Sequence, residues 1–95
     1  MKIISVSTNI WKSPVGWWKA VPGRVKECDY VVEERKCKIL AVYTFDGVSK
    51  KDKDSRIAFK GLKKVEDSII VDRITERLDL SRKRGERNSV RYFEL

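Results

Sequence analysis

The alternation of apolar and polar positions predicts a chain built mostly from short strands. Its most apolar run is residues 37–45, C-K-I-L-A-V-Y-T-F, which places apolar side chains on both faces of an extended strand. The β-branched and aromatic residues of this run disfavour a helix, and the turn signal Asp46-Gly47 follows directly. We therefore expect an interior strand that is covered on both sides.

Four other segments have the pattern of strands, namely residues 2–7, 30–33, 56–60 and 90–95. The charged residues 34–36 are a predicted turn, so residues 30–45 are expected to form an antiparallel hairpin. Either terminal strand would offer a free edge for dimerisation through sheet extension.

Residues 66–80 form the one long helix that the pattern predicts. Ile70, Ile74 and Leu78 recur at four-residue spacing and would make one apolar face. The acidic residues and the serine at its beginning suit the positive end of the helix dipole. A second, short helix is expected just after Pro22-Gly23. The predicted fold class is therefore α+β, a small curved and mostly antiparallel β-barrel with one main helix and one short helix.

Length and composition restrict the chain to one modest domain. Its 95 residues, 41% of them apolar, predict a single folded domain over residues 1–95. No run approaches the ~18 consecutive apolar residues of a membrane-spanning helix. Two cysteines are too few for a disulfide framework. We therefore expect an intracellular, cytoplasmic protein that has no membrane partner.

Net charge adds the strongest global signal. The formal charge is +8 and the pI is about 9.7, which favour an anionic partner. The basic residues concentrate in two segments, residues 50–64 and 82–91. The first has seven basic residues against two acidic ones, and the second has five against one.

All three tryptophans lie within eight positions, at Trp11, Trp17 and Trp18. Ser13-Pro14 and Gly16 break regular structure there, so the segment is a predicted loop or corner. Flat rings beside cations are what the binding of single-stranded nucleic acid requires, because bases stack on aromatics and cations contact phosphates. The alternative is that one or two of these rings close the core.

The residue types of the chain give little evidence for a catalytic site. The chain has no histidine, which removes the commonest general base, the histidine-activated nucleophiles and histidine metal sites. Cys28 and Cys37 lack further thiolates to complete a zinc site. We predict no enzyme, no cofactor and no metal; a metal-dependent nuclease without histidine is the weakest hypothesis.

The order of the segments resembles the small PUA-like barrels, including the ASCH and EVE types. The resemblance rests on the leading strand, the tryptophan-containing connection, the hairpin strands Y-V-V and I-L-A-V-Y, the segment R-x-x-F-x-G at residues 56–61, the helix and the closing strand. It implies a curved barrel that binds nucleic acid or reads modified bases. In EVE-type members an aromatic pocket receives a base, which implies that the tryptophans stack and that Ser7 and Asn9 donate or accept hydrogen bonds.

Together these observations predict a non-catalytic module that binds RNA or single-stranded or modified DNA. The candidate nucleic-acid-binding residues are Trp11, Trp17, Trp18, Lys50, Lys51, Lys53, Arg56, Arg82, Lys83, Arg84, Arg87 and Asn88. The alternative is a small protein-interaction module that inhibits or regulates a nucleic-acid enzyme or a defence system, because tryptophan and arginine also dominate protein–protein interfaces.

Overall fold

A computed structural model describes residues 1–8, 18–51, 56–82, 84–85 and 88–95; at residues 50 and 51 it describes the backbone alone. In chain order the elements are β1 (Lys2–Ser7), β2 (Trp18–Lys19), α1 (Pro22–Lys26), β3 (Tyr30–Arg35), β4 (Lys38–Thr44), β5 (Gly47–Lys51), β6 (Arg56–Lys60), β7 (Lys63–Lys64), α2 (Ser68–Arg77) and β8 (Val90–Glu94).

The described strands form two open sheets. The larger has five strands in the order β7-β4-β3-β1-β8, and the smaller has three in the order β2-β6-β5. β1 pairs with β3 in parallel, and the other pairings are antiparallel. The α+β class, the strand-rich content and the two helices are thus as predicted, whereas the described strands do not close into the predicted barrel.

The two most buried strands explain the layered arrangement. β1 and β3 carry apolar side chains on both faces, so the five-stranded sheet needs a cover on each side. α2 covers one face, with a buried cluster made of Ile3, Val32, Val42, Ile74, Leu78 and Leu80. The three-stranded sheet and α1 cover the other, with a buried cluster made of Ile4, Val6, Trp18, Val25, Val31 and Ile57.

The most apolar run of the sequence is not the most buried strand. β4 lies between β3 and the two-residue β7, and Val42 is its one fully buried residue. The register with β3 pairs Glu33 with Ala41 and Glu34 with Ile39, so Leu40 is the extra residue of a β-bulge. Its side chain is 49% exposed. The strand is interior and packs on both sides as predicted, with Val42 in the α2 cluster and Tyr43 against the other cluster, but it is less completely buried than β1 and β3.

The hairpin between β3 and β4 is confirmed, and its turn lies at residues 36–37 instead of the predicted 34–36. Arg35 pairs with Lys38, and the two residues between them have positive φ, 51° at Lys36 and 62° at Cys37. Positive φ at both central residues is the signature of a type I′ turn, which favours Asn-Gly. This chain adopts it without asparagine or glycine.

The main helix is shorter than predicted. Asp67 is its N-cap, and the carboxylate Oδ1 accepts a hydrogen bond from the Ile69 amide at 3.0 Å. The helix ends at Arg77, and its C-cap Leu78 has an extended backbone, yet Leu78 and Leu80 remain in the core. Leucine side chains beyond the helix thus continue its apolar face. No helix among the described residues is both long and apolar enough to cross a membrane.

A candidate polyanion-binding surface

The outward face of the three-stranded sheet carries a row of basic residues. The central strand β6 sets the row, because Arg56 pairs with Lys19 of β2 on one side and with Lys51 of β5 on the other. The next residue, Ile57, is fully buried and pairs with the buried Trp18. Since neighbouring residues of a strand point to opposite faces, the burial of this pair directs Lys19 and Arg56 to solvent, where both are exposed.

An unusual feature of this row is that like charges lie side by side on neighbouring strands. Neighbouring strands lie about 4.8 Å apart, and like charges directly opposite each other are destabilising. The remaining outward positions of the sheet hold three small residues and one further cation, namely Gly47, Ser49, Ala58 and Lys60. Neither Lys19 nor Arg56 forms an ion pair with another described residue.

We call the exposed residues Lys19, Arg56 and Lys60, together with the backbone position of Lys51 opposite Arg56, the cationic row. Lys51 and Arg56 were among the residues predicted from the sequence, and the register brings them together. Lys19 was not predicted, because it lies beside the tryptophans and outside the two segments that are dense in basic residues. The alternation of a buried Trp18 with a charged neighbour was the signal that could have found it.

The structure describes one of the three tryptophans that were predicted to stack on bases. Trp18 is only 3% exposed and packs in the core cluster beneath the three-stranded sheet. As placed, this ring is not open to a base, so Trp18 follows the alternative that a tryptophan closes the core. Trp11 and Trp17 lie outside the described residues, as do Asn9 and the basic residues Lys53, Lys83 and Arg87. The side chains of Lys50 and Lys51 are also outside the description.

The second basic segment is partly internal. Arg82 Nη2 donates to Glu34 Oε1 at 2.9 Å, and Arg91 Nη2 donates to the same oxygen at 3.0 Å. Glu34 is almost fully buried, and Arg91 also donates to the carbonyls of Leu80 and Ser81. One carboxylate thus offsets part of the charge of two arginines.

Two of the predicted residues in this segment remain exposed. Arg84 and Asn88 are both on the surface, and the Asn88 carbonyl accepts a hydrogen bond from Arg82 Nη1 at 2.8 Å. The Glu34–Arg91 ion pair lies on the α2 side of the five-stranded sheet, because Arg91 contacts the carbonyl of Leu80 in that core cluster. The cationic row is on the far side of the other layer. Among the described residues, the guanidinium groups of Arg82 and Arg91 therefore do not lie on the face that carries Lys19 and Arg56.

A second buried carboxylate faces the three-stranded sheet. Glu33 accepts hydrogen bonds from the Tyr43 hydroxyl at 3.1 Å and from the Thr8 hydroxyl at 3.2 Å. Burial, and then the charge of Glu33 and the hydrogen bond to it, raise the pKa of Tyr43. Adjacent residues of β3 thus present two carboxylates to opposite sides of the sheet.

The thiols and carboxylates of the described residues do not assemble into a metal site. No group of three or more histidine, cysteine, aspartate or glutamate side chains lies close enough together there to hold an ion. The two cysteines are not joined by a disulfide, and burial raises the pKa of the Cys28 thiol.

Comparisons of the chain with models of known protein families, with curated proteins and with solved structures each find no match.

Proposed function

We propose that the protein is a non-catalytic module that binds nucleic acid through its phosphates, using the outward face of the three-stranded sheet. The observation that carries this proposal is the register of the cationic row, in which Lys19, Arg56 and Lys51 stand opposite one another on three neighbouring strands. A flexible polyanion can place successive phosphates along such a row and release its counterions.

The proposal favours phosphate contacts over base contacts. The described outward positions of this sheet hold lysine, arginine and small residues, and they include no aromatic ring. Contacts to phosphates position a nucleic acid without reading its sequence. Base stacking on Trp11 or Trp17 stays a prediction from the sequence, as does the PUA-like barrel that the order of segments resembles.

An oligonucleotide titration at several salt concentrations tests the proposal. The test variant is Lys19→Gln/Arg56→Gln, and its matched control is Lys26→Gln/Arg73→Gln, which removes two exposed cations from the two helices. We expect the test variant to flatten the plot of log affinity against log salt by about 1.4 units for a single strand, since each phosphate contact contributes about 0.7. The control should retain most of the slope of the parent chain.

Equal losses in the two variants would contradict the proposal, because net charge alone would then account for binding. Absence of binding by the parent chain at low salt would also reject it. Far-UV circular dichroism of both variants would establish that each retains the fold.

A protein-interaction module is the second candidate. It stays a prediction from the sequence, since the burial of Trp18 and the ion pair of Arg82 with Glu34 withdraw these two predicted side chains from a protein interface as much as from a nucleic-acid interface. Capture of partners from a lysate, with and without nuclease treatment, separates the two candidates. Partners that survive nuclease treatment, together with no oligonucleotide binding, would favour this second function.

A further inference from the structure

The last strand of the chain is an open edge of the five-stranded sheet. β8 pairs with β1 on one side and ends the strand order on the other. The amide of Ser7 donates to the Ser89 carbonyl, and the amide of Leu95 donates to the Met1 carbonyl, each at 2.8 Å. These bonds identify which backbone groups of β8 face β1.

Hydrogen-bonded pairs alternate along an antiparallel ladder. Because Ser89 and Leu95 are bonded to β1, Arg91 and Phe93 between them also direct their backbone groups to β1. The amides and carbonyls of Val90, Tyr92 and Glu94 therefore face away from the sheet. Among the described residues, no turn, loop or cap hydrogen bond engages these groups.

Two clefts lie beside this edge, with volumes of about 280 and 470 Å³. Both are lined by Arg24 of α1 together with Tyr92 and Phe93; Glu94 lines the first, and Val90 lines the second. The Arg24 guanidinium stands 4.0 Å from the centre of the Tyr92 ring. Space, backbone groups without a partner among the described residues, and the Arg24 guanidinium thus coincide along the edge.

We propose that β8 pairs with β8 of a second copy of this chain, antiparallel and centred on Tyr92. In this register Tyr92 faces Tyr92 of the second copy, and Val90 faces Glu94 of the second copy. The three residues whose backbone groups point outward then meet the same three residues, so every outward amide and carbonyl between Val90 and Glu94 has a partner. The five-stranded sheets join into one continuous sheet.

Charge complementarity favours a second copy as the occupant. Val90, Tyr92 and Glu94 alternate onto one face of β8, and Val90 and Tyr92 pack on the side that carries α1. Glu94 of the second copy therefore comes to lie beside Val90, in the cleft that Arg24 lines. Two-fold symmetry repeats this ion pair between Arg24 and Glu94 at the other end of the interface.

The association is expected to be weak, because pairing of five-residue strands buries less surface than a stable dimer needs. Sedimentation equilibrium over concentrations up to about 1 mM measures it. Arg24→Glu and Glu94→Arg each place like charges together, so each should weaken dimerisation about tenfold. The double variant Arg24→Glu/Glu94→Arg restores both ion pairs and should return to within about threefold of the parent chain.

A second variant tests the backbone hydrogen bonds. Glu94→Pro removes an amide hydrogen that faces away from β1, so it should abolish the dimer and leave the monomer folded by circular dichroism. A parent chain that is monomeric throughout the concentration range would overturn the proposal. A dimer that persists in Glu94→Pro, or a double charge variant that is no tighter than the single ones, would overturn it as well.

Discussion

Arg91 reaches across a whole strand to contact Glu34. The two residues lie on β8 and β3, with β1 between them, and Nη2 of Arg91 is 3.0 Å from Oε1 of Glu34. Ser5, the register partner of Arg91 on β1, has a small and buried side chain over which the guanidinium can pass. The ion pair therefore ties together three neighbouring strands on the side that α2 covers.

Neutralising Glu34 should be strongly destabilising. Glu34→Gln leaves two guanidinium groups without their shared carboxylate, and breaking a buried pair typically costs about 3–5 kcal/mol. Chemical denaturation measures the loss. Glu27→Gln is the matched control, because Glu27 makes an exposed pair with Lys2 at 3.5 Å, and its removal should change the free energy of unfolding by less than about 1 kcal/mol. Similar losses in the two variants would contradict the internal role of Glu34.

The turn between β3 and β4 should be open to stabilisation. Left-handed backbone costs a non-glycine residue about 1–2 kcal/mol, so Lys36→Asn/Cys37→Gly should raise the free energy of unfolding by about 1 kcal/mol. Glycine also keeps the amide that donates to Glu34 Oε2 at 3.4 Å. As a control, Lys38→Gly places glycine in the adjoining strand and should destabilise instead. A decrease in melting temperature for the turn variant would rule out the type I′ assignment.

Stability should decline in alkaline solution, partly through Tyr43. Its pKa is raised on folding, so the unfolded chain loses the phenolic proton at a lower pH than the folded chain does. The contribution is complete below the ordinary tyrosine pKa of about 10 and disappears as the pH rises from there through the folded pKa. Melting temperatures at pH 8 to 11 should therefore fall less steeply for Tyr43→Phe than for the parent chain, and Tyr30→Phe is the control. Parallel profiles for Tyr43→Phe and the parent chain would contradict the raised pKa of Tyr43.

The burial of Trp18 predicts a large loss of stability when its ring is removed. Trp18→Ala opens a cavity next to Ile57 and Val25, and such truncations cost about 3–5 kcal/mol. Trp18→Phe keeps most of the apolar volume and should cost much less. Denaturant titrations compare the two. If Trp18→Ala changed stability by less than about 1 kcal/mol, the ring could not be part of the core.

Local sequence patterns were sufficient for the elements that depend on near neighbours. Alternation predicted β1 with its observed bounds, and the hairpin and the main helix followed from apolar spacing and turn residues. The partial exposure of β4 was not predicted, because it results from the bulge that leaves Leu40 on the surface. No local pattern announces such a bulge.

The roles of the charged residues were harder to predict, since they depend on pairings between distant segments. Glu34 is separated from Arg82 and Arg91 by 48 and 57 positions. From the sequence, these arginines were expected to be available for phosphates, whereas in the structure they pair with the buried carboxylate of Glu34. In the same way, the cationic row exists only once β2, β6 and β5 are in register.

The placement of β1 between β3 and β8 bears on how the chain folds as it is synthesised. During synthesis β1 acquires its neighbour β3 early, but its other neighbour is β8, which follows more than 80 residues later. Until β8 has been synthesised, the backbone amides and carbonyls along one edge of the apolar strand β1 lack their partners. A neighbouring nascent chain could pair with this edge. Premature termination before Val90 should therefore yield an aggregation-prone product rather than a slightly smaller folded one.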